Sequence, residues 1–243
     1  MESLRGFARI LPNGHIEEGA GVVKIAGGPP IPSFNTAFIT RPPTDATKTI
    51  EDAASFMARA KVTGWRIVAF PGLDTAVEAA ALSAGFRQGH PAPGMVLDPI
   101  PPRPPSLPVG FKIRRAGTPD LWRTMVRVGV GGMGGEPPED TEVFFPFRLA
   151  TVYRGYVGFE GRVPVATSVG LSYRGIGGVF FVSTLPEYRG KGYGAALTWG
   201  ATVGARPDGC RVGYLQASEM GYPVYVRMGY RTVAPYREWL TGS

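Results

Sequence analysis

The chain has 243 residues, enough for one large domain or two small ones, and its 44% hydrophobic content is sufficient to form a folded core. A single cysteine, Cys210, excludes an internal disulfide and a multi-cysteine metal site, and the two histidines, His15 and His90, lie in turn-rich segments, so we expect no bound metal. The formal net charge of +7 favours an anionic partner, but the basic residues are scattered, which argues against nucleic acid as that partner.

The N-terminal hundred residues alternate between predicted strands and helices. Residues 1–12 lack the apolar core of a signal peptide, and no stretch approaches the ~20 apolar residues that span a bilayer, so we expect a cytoplasmic protein without a membrane partner. Hydrophobic periodicity predicts strands over 20–25, 36–40, 65–70 and 93–97, and helices over 50–62 and 75–84.

A proline-dense run follows these elements. Proline cannot continue a helix or lie in the centre of a sheet, so residues 98–110 are typical of a stiff, extended connector. The sequence therefore predicts an N-terminal domain over 1–98, a linker over 99–108 and a C-terminal domain over 109–243.

The C-terminal part begins with a predicted strand over 111–115 and a helix that starts after Thr118, with Pro119 at its first position. The glycine-rich run 129–135 is predicted to be a mobile loop. Strands over 151–159, 164–173 and 177–184 then predict an antiparallel meander, which is followed by a helix over 192–205 and strands over 212–216 and 233–240. Together these elements predict an α+β fold with a mixed, mostly antiparallel central sheet flanked by helices.

The turn between residues 184 and 192 has the composition of a phosphate-binding site. Gly190, Gly192 and Gly194 lack a Cβ, so successive backbone N–H groups can converge on phosphate oxygens at the positive end of the following helix. Arg189 and Lys191 add mobile cations. The alternative is an ordinary glycine-rich turn. A dinucleotide-binding fingerprint also fits formally, but the turn follows a meander and does not open a βαβ unit.

A second segment, residues 214–230, predicts a strand, the start of a helix, a tyrosine and a glycine stop. Two motifs then carry a resemblance: Arg189-x-x-Gly192-x-Gly194 and Tyr225-x-x-x-Gly229-Tyr230. Together they resemble the GNAT superfamily of acetyl-CoA-dependent N-acetyltransferases. The resemblance covers residues 109–243 and implies a GNAT fold with acetyl-CoA as co-substrate.

The first half of the chain shows a weaker likeness to the same family. Its order of strands and helices resembles a shortened GNAT half without the phosphate turn, which implies a tandem arrangement. Ala81, four residues before Gly85, lacks the hydroxyl of the family tyrosine, so we expect this half to be noncatalytic. An unrelated α/β domain is the alternative.

The resemblance implies a role for several residues. The backbone of 182–184 would pair with the pantetheine arm like an added strand, and the turn 189–195 would hold the pyrophosphate. Tyr225 would protonate or hydrogen-bond the leaving thiolate, unless it is only a core tyrosine. Ser218 would bond the cofactor or cap the next helix. The expected catalytic residue is Tyr225, and the expected cofactor-binding residues are Val182, Ser183, Thr184, Arg189, Gly190, Lys191, Gly192, Tyr193, Gly194, Ala195 and Ser218.

The implied reaction is acetyl transfer from acetyl-CoA to a primary amine of a small molecule or peptide, with residues 129–141 bordering the acceptor. Many relatives carry a carboxylate on the strand before the phosphate turn, but residues 177–185 contain none. Substitutes for this general base are Glu136, Glu139, Asp140, Glu142 and Glu219, and water or an already neutral amine stays open. The missing carboxylate also leaves open a non-catalytic acetyl-CoA-binding sensor or scaffold. The oligomeric state is open.

Overall fold

Residues 5, 8–9, 13–27, 32–90 and 92–241 are described in the computed structural model of the chain. Its contacts divide the chain into two units, Met1–Gly94 with Thr232–Ser243, and Met95–Arg231. The units therefore differ from the predicted domains, because the proline-dense run belongs wholly to the second unit and the last strand belongs to the first. Most of residues 1–12, on which the signal-peptide expectation depends, lies outside the described residues.

The first unit contains a six-stranded sheet with two helices on one face. Its strands are β1 (His15–Gly19), β2 (Val22–Ala26), β3 (Thr36–Ile39), β4 (Arg66–Ala69), β5 (Arg87–Gln88) and β13 (Arg237–Leu240), in the order β1-β2-β3-β4-β13-β5. Among the described strand pairs of this sheet, only β3 and β4 run parallel. Helices α1 (Ala46–Arg59) and α2 (Asp74–Ser83) pack on a core that includes Met57, Ile67 and Trp239.

The sequence predicts most elements of this unit to within a few residues. Helix α1 begins four residues before its predicted start because the Asp45 carboxylate accepts from the Lys48 N–H and so caps an earlier turn. Strand β1 was not predicted. Its residues are largely exposed, so the strand carries no alternation of apolar and polar side chains that would indicate it.

A second, seven-stranded sheet organises the second unit. The strands are β6 (Gly94–Leu97), β7 (Phe111–Arg115), β8 (Tyr153–Glu160), β9 (Val163–Tyr173), β10 (Ile176–Thr184), β11 (Val212–Gln216) and β12 (Arg231–Ala234), in the order β12-β6-β11-β10-β9-β8-β7. Neighbours from β7 to β10 are antiparallel, which confirms the predicted meander, and β10 pairs with β11 in parallel. The mixed α+β fold is thus confirmed.

Four α-helices belong to the described part of this unit, and none of the helices described in the chain has the length and apolarity that crossing a membrane requires. They are α3 (Pro119–Gly132), α4 (Thr141–Phe144), α5 (Tyr193–Gly204) and α6 (Tyr222–Arg227). As predicted, the Thr118 side chain caps α3 by accepting from the Leu121 N–H. One buried cluster lies between α5, α6 and the sheet and contains Val179, Ala201 and Leu215.

Two strand predictions need correction. The predicted strand over 233–240 is two strands, β12 and β13, which belong to different sheets. Pro235 lies between them, and proline has no N–H with which to continue a ladder. The predicted strand over 93–97, placed in the N-terminal domain, is β6 and belongs to the second sheet.

The start of the proline-dense run is not a free connector. Ile100 is buried, its N–H donates to the Arg211 carbonyl at 2.7 Å, and its carbonyl accepts from the Arg206 guanidinium at 2.6 Å. The run is therefore anchored within the second unit.

The glycine-rich run predicted as a loop is helical as far as Gly132, which ends α3. An added Cβ at Gly129 would lie 2.0 Å from the Phe181 ring, and one at Gly132 would lie 2.2 Å from Ser183 Oγ. The loop prediction was wrong for 129–132, because close packing on β10 outweighs the poor helix propensity of glycine. Here the glycines let α3 lie directly on β10, and that packing holds the helix together.

We expect Gly129→Ala to lower the free energy of unfolding by about 1–3 kcal/mol, because the new methyl group forces the Phe181 ring or α3 to shift. Gly117→Ala is the matched control, since no heavy atom lies within 4 Å of its added carbon. That control should change stability by less than about 0.5 kcal/mol. Urea denaturation followed by circular dichroism measures both, and equal losses would contradict the packing described for Gly129.

Candidate functional site

The second sheet opens at the end of β10. In this fully described stretch, β10 and β11 pair only from Ile176–Val179 to Val212–Leu215, although β10 continues to Thr184. On the other side of β10 the register with β9 shifts between Phe180 and Ser183, and Phe181 adopts a left-handed φ of 53°. Backbone groups of the last β10 residues that face the β11 side therefore lack a strand partner, and this is where the added strand expected at 182–184 would lie.

A tight turn connects this strand end to α5. Gly190 and Gly192 have φ of 79° and 80°, a conformation that favours glycine, and α5 starts directly after Gly192. No side chain caps the N-terminus of this 12-residue helix. The first N–H groups of a helix have no partner within it, so those of Tyr193, Gly194 and Ala195 are placed to bind an anion.

The two cations of the turn are held by other groups. Lys191 Nζ donates to Glu160 Oε1 at 2.8 Å, and the Tyr193 hydroxyl donates to the same oxygen at 2.5 Å. The bond from Lys191 lowers the pKa of Glu160 below its usual value, so this carboxylate is ionised at neutral pH. The Tyr193 ring also stacks on Phe111, with centroids 4.1 Å apart. Lys191 is thus tied to the end of β8 and is not the mobile cation that the sequence predicted.

Arg189 is held by main-chain oxygens. Its Nε donates to the Thr184 carbonyl at 3.2 Å, and its Nη2 donates to the Gly132 carbonyl at 2.8 Å. The side chain therefore joins the end of β10 to the C-terminus of α3, and it too is not a mobile cation.

The motif tyrosine of α6 faces α5. Tyr225 is 7% exposed and its hydroxyl lies near Thr198, whose Oγ1 donates to the Gly194 carbonyl at 2.9 Å. Burial raises the pKa of Tyr225, so the phenol stays protonated at neutral pH and can act as a donor. The hydroxyl of Tyr225 therefore lies close to the first turn of the helix that follows the phosphate turn.

The second tyrosine of the motif repeats this contact one helical turn later. The Tyr230 hydroxyl and Thr202 Oγ1 lie 2.6 Å apart, and burial raises the pKa of Tyr230 to about 12. Thr198 and Thr202 are four residues apart and so lie on one face of α5. Sequence reasoning missed both threonines and Glu160. The i, i+4 pair of threonines opposite two tyrosines was the available signal.

The remaining predicted residues differ in their placement. Ser218 Oγ accepts from the Gly221 N–H at 3.2 Å and so holds the turn before α6, but it does not cap that helix, whose N-cap residue is Gly221. The Ser183 hydroxyl is buried beside α3 and has no hydrogen-bond partner among the described residues. Ser183 pairs with Thr167, and the N–H of Leu185, two residues later, donates to β9, so the backbone of Ser183 also faces β9.

The candidate bases fall into two groups. Asp140 accepts from the Glu142 N–H, and Glu142 accepts from the Phe147 N–H, so both carboxylates stabilise α4 and the turn after it. Glu136, Glu139 and Glu219 are exposed. The structure therefore brings together the strand end, the phosphate turn and Tyr225, but it adds no carboxylate to β10.

Comparison with known proteins agrees with this geometry. No family model matches the sequence, and no curated protein matches it in sequence either. Among solved structures, the chain is similar to a GCN5-related N-acetyltransferase from Kribbella flavida, with 18% identity, coverage of 99% of this chain and 93% of that chain, and a TM-score of 0.73. A GCN5-related N-acetyltransferase from Sphaerobacter thermophilus follows, with 16% identity, 93% and 81% coverage, and a TM-score of 0.67.

A third similar structure is a tandem GNAT protein from the clavulanic acid biosynthesis pathway, with 16% identity and a TM-score of 0.59. The match covers 97% of this chain and 86% of that chain, so it includes both halves. At these identities the likeness establishes the fold. The chain therefore has the GNAT fold that its two motifs implied.

Proposed function

We propose that the chain is a cytoplasmic N-acetyltransferase that transfers the acetyl group of acetyl-CoA to a primary amine of a small-molecule or peptide acceptor. One observation carries the proposal: the end of β10, where pairing with β11 has stopped, is followed within ten residues by a left-handed glycine turn and an uncapped helix N-terminus. A ligand that fits both features has an anionic end and an amide-bearing arm that can pair with a strand. The pyrophosphate and the pantetheine arm of coenzyme A provide these two parts.

The residues of the site suit this ligand chemically. The backbone groups within 182–184 that face the β11 side would hydrogen-bond the pantetheine amides, and the N–H groups of 193–195 would bind the pyrophosphate. Acetyl-CoA supplies an activated acetyl group as a thioester. The formal charge of +7 favours association with such an anion.

The reaction is a direct attack. The amine nitrogen forms a bond to the thioester carbonyl carbon, and the carbon–sulfur bond breaks with its electron pair on sulfur. Tyr225 is the proposed donor of the proton that sulfur takes up, because its phenol is protonated at neutral pH. The nitrogen loses one proton to water. The phenolate of Tyr225 takes one proton back from water, so the phenol is restored. Water has this role because β10 carries no carboxylate.

Calorimetry with acetyl-CoA, combined with a thiol-release assay over a panel of amines, amino acids and peptides, tests the proposal. Binding with amine-dependent release of thiol is the expected result. Binding without release across the panel would favour the sensor or scaffold function. Absence of binding would contradict both functions.

Glu160 gives a further expectation for this site. We expect Glu160→Gln to strengthen coenzyme A binding by about two- to five-fold at low salt and less at high salt, because it frees Lys191 for a phosphate oxygen. Glu187→Gln removes an equal charge from the turn that contains Lys191, where Glu187 is exposed, and serves as control. Calorimetry at two salt concentrations measures both variants, and an equal effect of the two would show that only net charge matters.

A further inference from the structure

Arg189 begins the phosphate turn, yet its guanidinium is directed at protein carbonyls. The contact to Gly132 connects residues 57 positions apart, and the contact to Thr184 fixes the same side chain to the end of β10. These contacts use the Nε donor and one Nη2 donor, and together they fix the direction of the guanidinium against the two carbonyls. Arg189 is therefore already committed before any ligand binds.

The Gly132 carbonyl lies at the C-terminal end of α3. The last carbonyls of a helix have no partner within it, and the helix dipole places partial negative charge there, so a guanidinium at this end is stabilising. Beside this bond the backbones of α3 and β10 also lie close together, since an added Cβ at Gly132 would lie 3.0 Å from the Thr184 carbonyl. Arg189 thus closes a junction in which α3 lies directly on the strand end.

We propose that Arg189 is a positioning residue that fastens the C-terminal end of α3 to the phosphate turn, and that it does not bind the pyrophosphate. By holding the end of α3, Arg189 fixes the position from which the segment after Gly132 begins. The role of that segment in acceptor binding rests on the proposed function, in which residues 129–141 border the acceptor. Removal of Arg189 then disturbs acceptor binding and leaves cofactor binding intact.

Hydrogen–deuterium exchange of the free protein tests the fastening directly. In Arg189→Gln, amides of 129–134 should exchange at least about ten-fold faster than in the wild type, because a charge-assisted bond to the helix end is lost. Arg127→Gln is the matched control, since Arg127 is exposed on the same helix. Unchanged exchange in Arg189→Gln would overturn the proposal. Circular dichroism confirms that each variant is folded.

Coenzyme A affinity separates positioning from phosphate binding. The Kd of Arg189→Gln should stay within about three-fold of the wild type with the same salt dependence, while KM for the acceptor rises at least about five-fold. Arg189→Lys should keep the fast exchange, because one ammonium cannot hold both carbonyls in the same geometry. A ten-fold loss of coenzyme A affinity with a weaker salt dependence, restored by lysine, would make Arg189 a phosphate ligand and overturn the proposal.

The exchange experiment and the coenzyme A experiment can fail independently of each other. If the wild-type protein bound no coenzyme A, the proposed function would fail, and the exchange rates would still decide whether Arg189 fastens α3.

Discussion

Gly192→Val is expected to weaken coenzyme A binding by at least about 100-fold, which corresponds to roughly 2.7 kcal/mol. Residue 192 has a φ of 80°, a left-handed conformation that a β-branched residue adopts only under strain. The substitution therefore changes the direction of the N–H groups at the start of α5. The added Cβ meets only Pro108, at 3.8 Å, so damage to the core does not account for the effect. Calorimetry with coenzyme A measures it.

Gly209→Val is the matched control for this substitution. Gly209 has a φ of 81° and no heavy atom within 4 Å of an added Cβ, but it follows the 3-10 turn Arg206–Asp208 at the opposite end of α5. Both variants should lose similar stability, and only Gly192→Val should lose coenzyme A binding. Equal binding by the two variants would show that the turn does not hold the ligand.

Tyr225→Phe is expected to reduce turnover by about 100-fold while acetyl-CoA affinity changes by less than about three-fold, because the variant keeps the ring and loses only the proton donor. Burial raises the pKa of Tyr225, so the donor is present at neutral pH, and activity that depends on it should fall only when alkaline pH deprotonates the phenol. Single-turnover kinetics with the best acceptor of the panel measure the loss.

Tyr230→Phe provides the comparison. It removes a hydroxyl from a tyrosine in the same motif, whose partner Thr202 lies one turn further along α5. This variant should lose about 1 kcal/mol of stability and keep turnover. Unchanged turnover in Tyr225→Phe would remove that tyrosine from the mechanism.

The fold was predictable where interactions between residues close in sequence determine a helix, a strand or a turn. The meander of β8, β9 and β10 follows from runs of apolar residues separated by short turns, and the start of α3 follows from Thr118 and Pro119. The backbone of the phosphate turn was predictable in the same way, because the two positions with a left-handed φ, 190 and 192, are both glycine. In each case the relevant interaction lies within a few residues of sequence.

The errors arose where a distant segment decides. Residues 129–132 are helical because their glycines let α3 pack closely against Phe181 and Ser183 of β10. The helix propensity of glycine alone does not indicate this packing. The final strand pairs with β4, about 170 residues earlier in the sequence, so its sheet could not be assigned from local pattern. The side chains of the turn were misjudged for the same reason, since the partners of Arg189 and Lys191 are Gly132 and Glu160.

Amide resonances of the turn test the central claim most directly. In protein labelled with 15N-glycine, titration with coenzyme A should shift the signals of Gly190, Gly192 and Gly194 and saturate at the calorimetric Kd, whereas pantetheine, which has no phosphate, should leave them unchanged. Binding of coenzyme A with no change at these three signals would contradict the assignment of the turn as its pyrophosphate site.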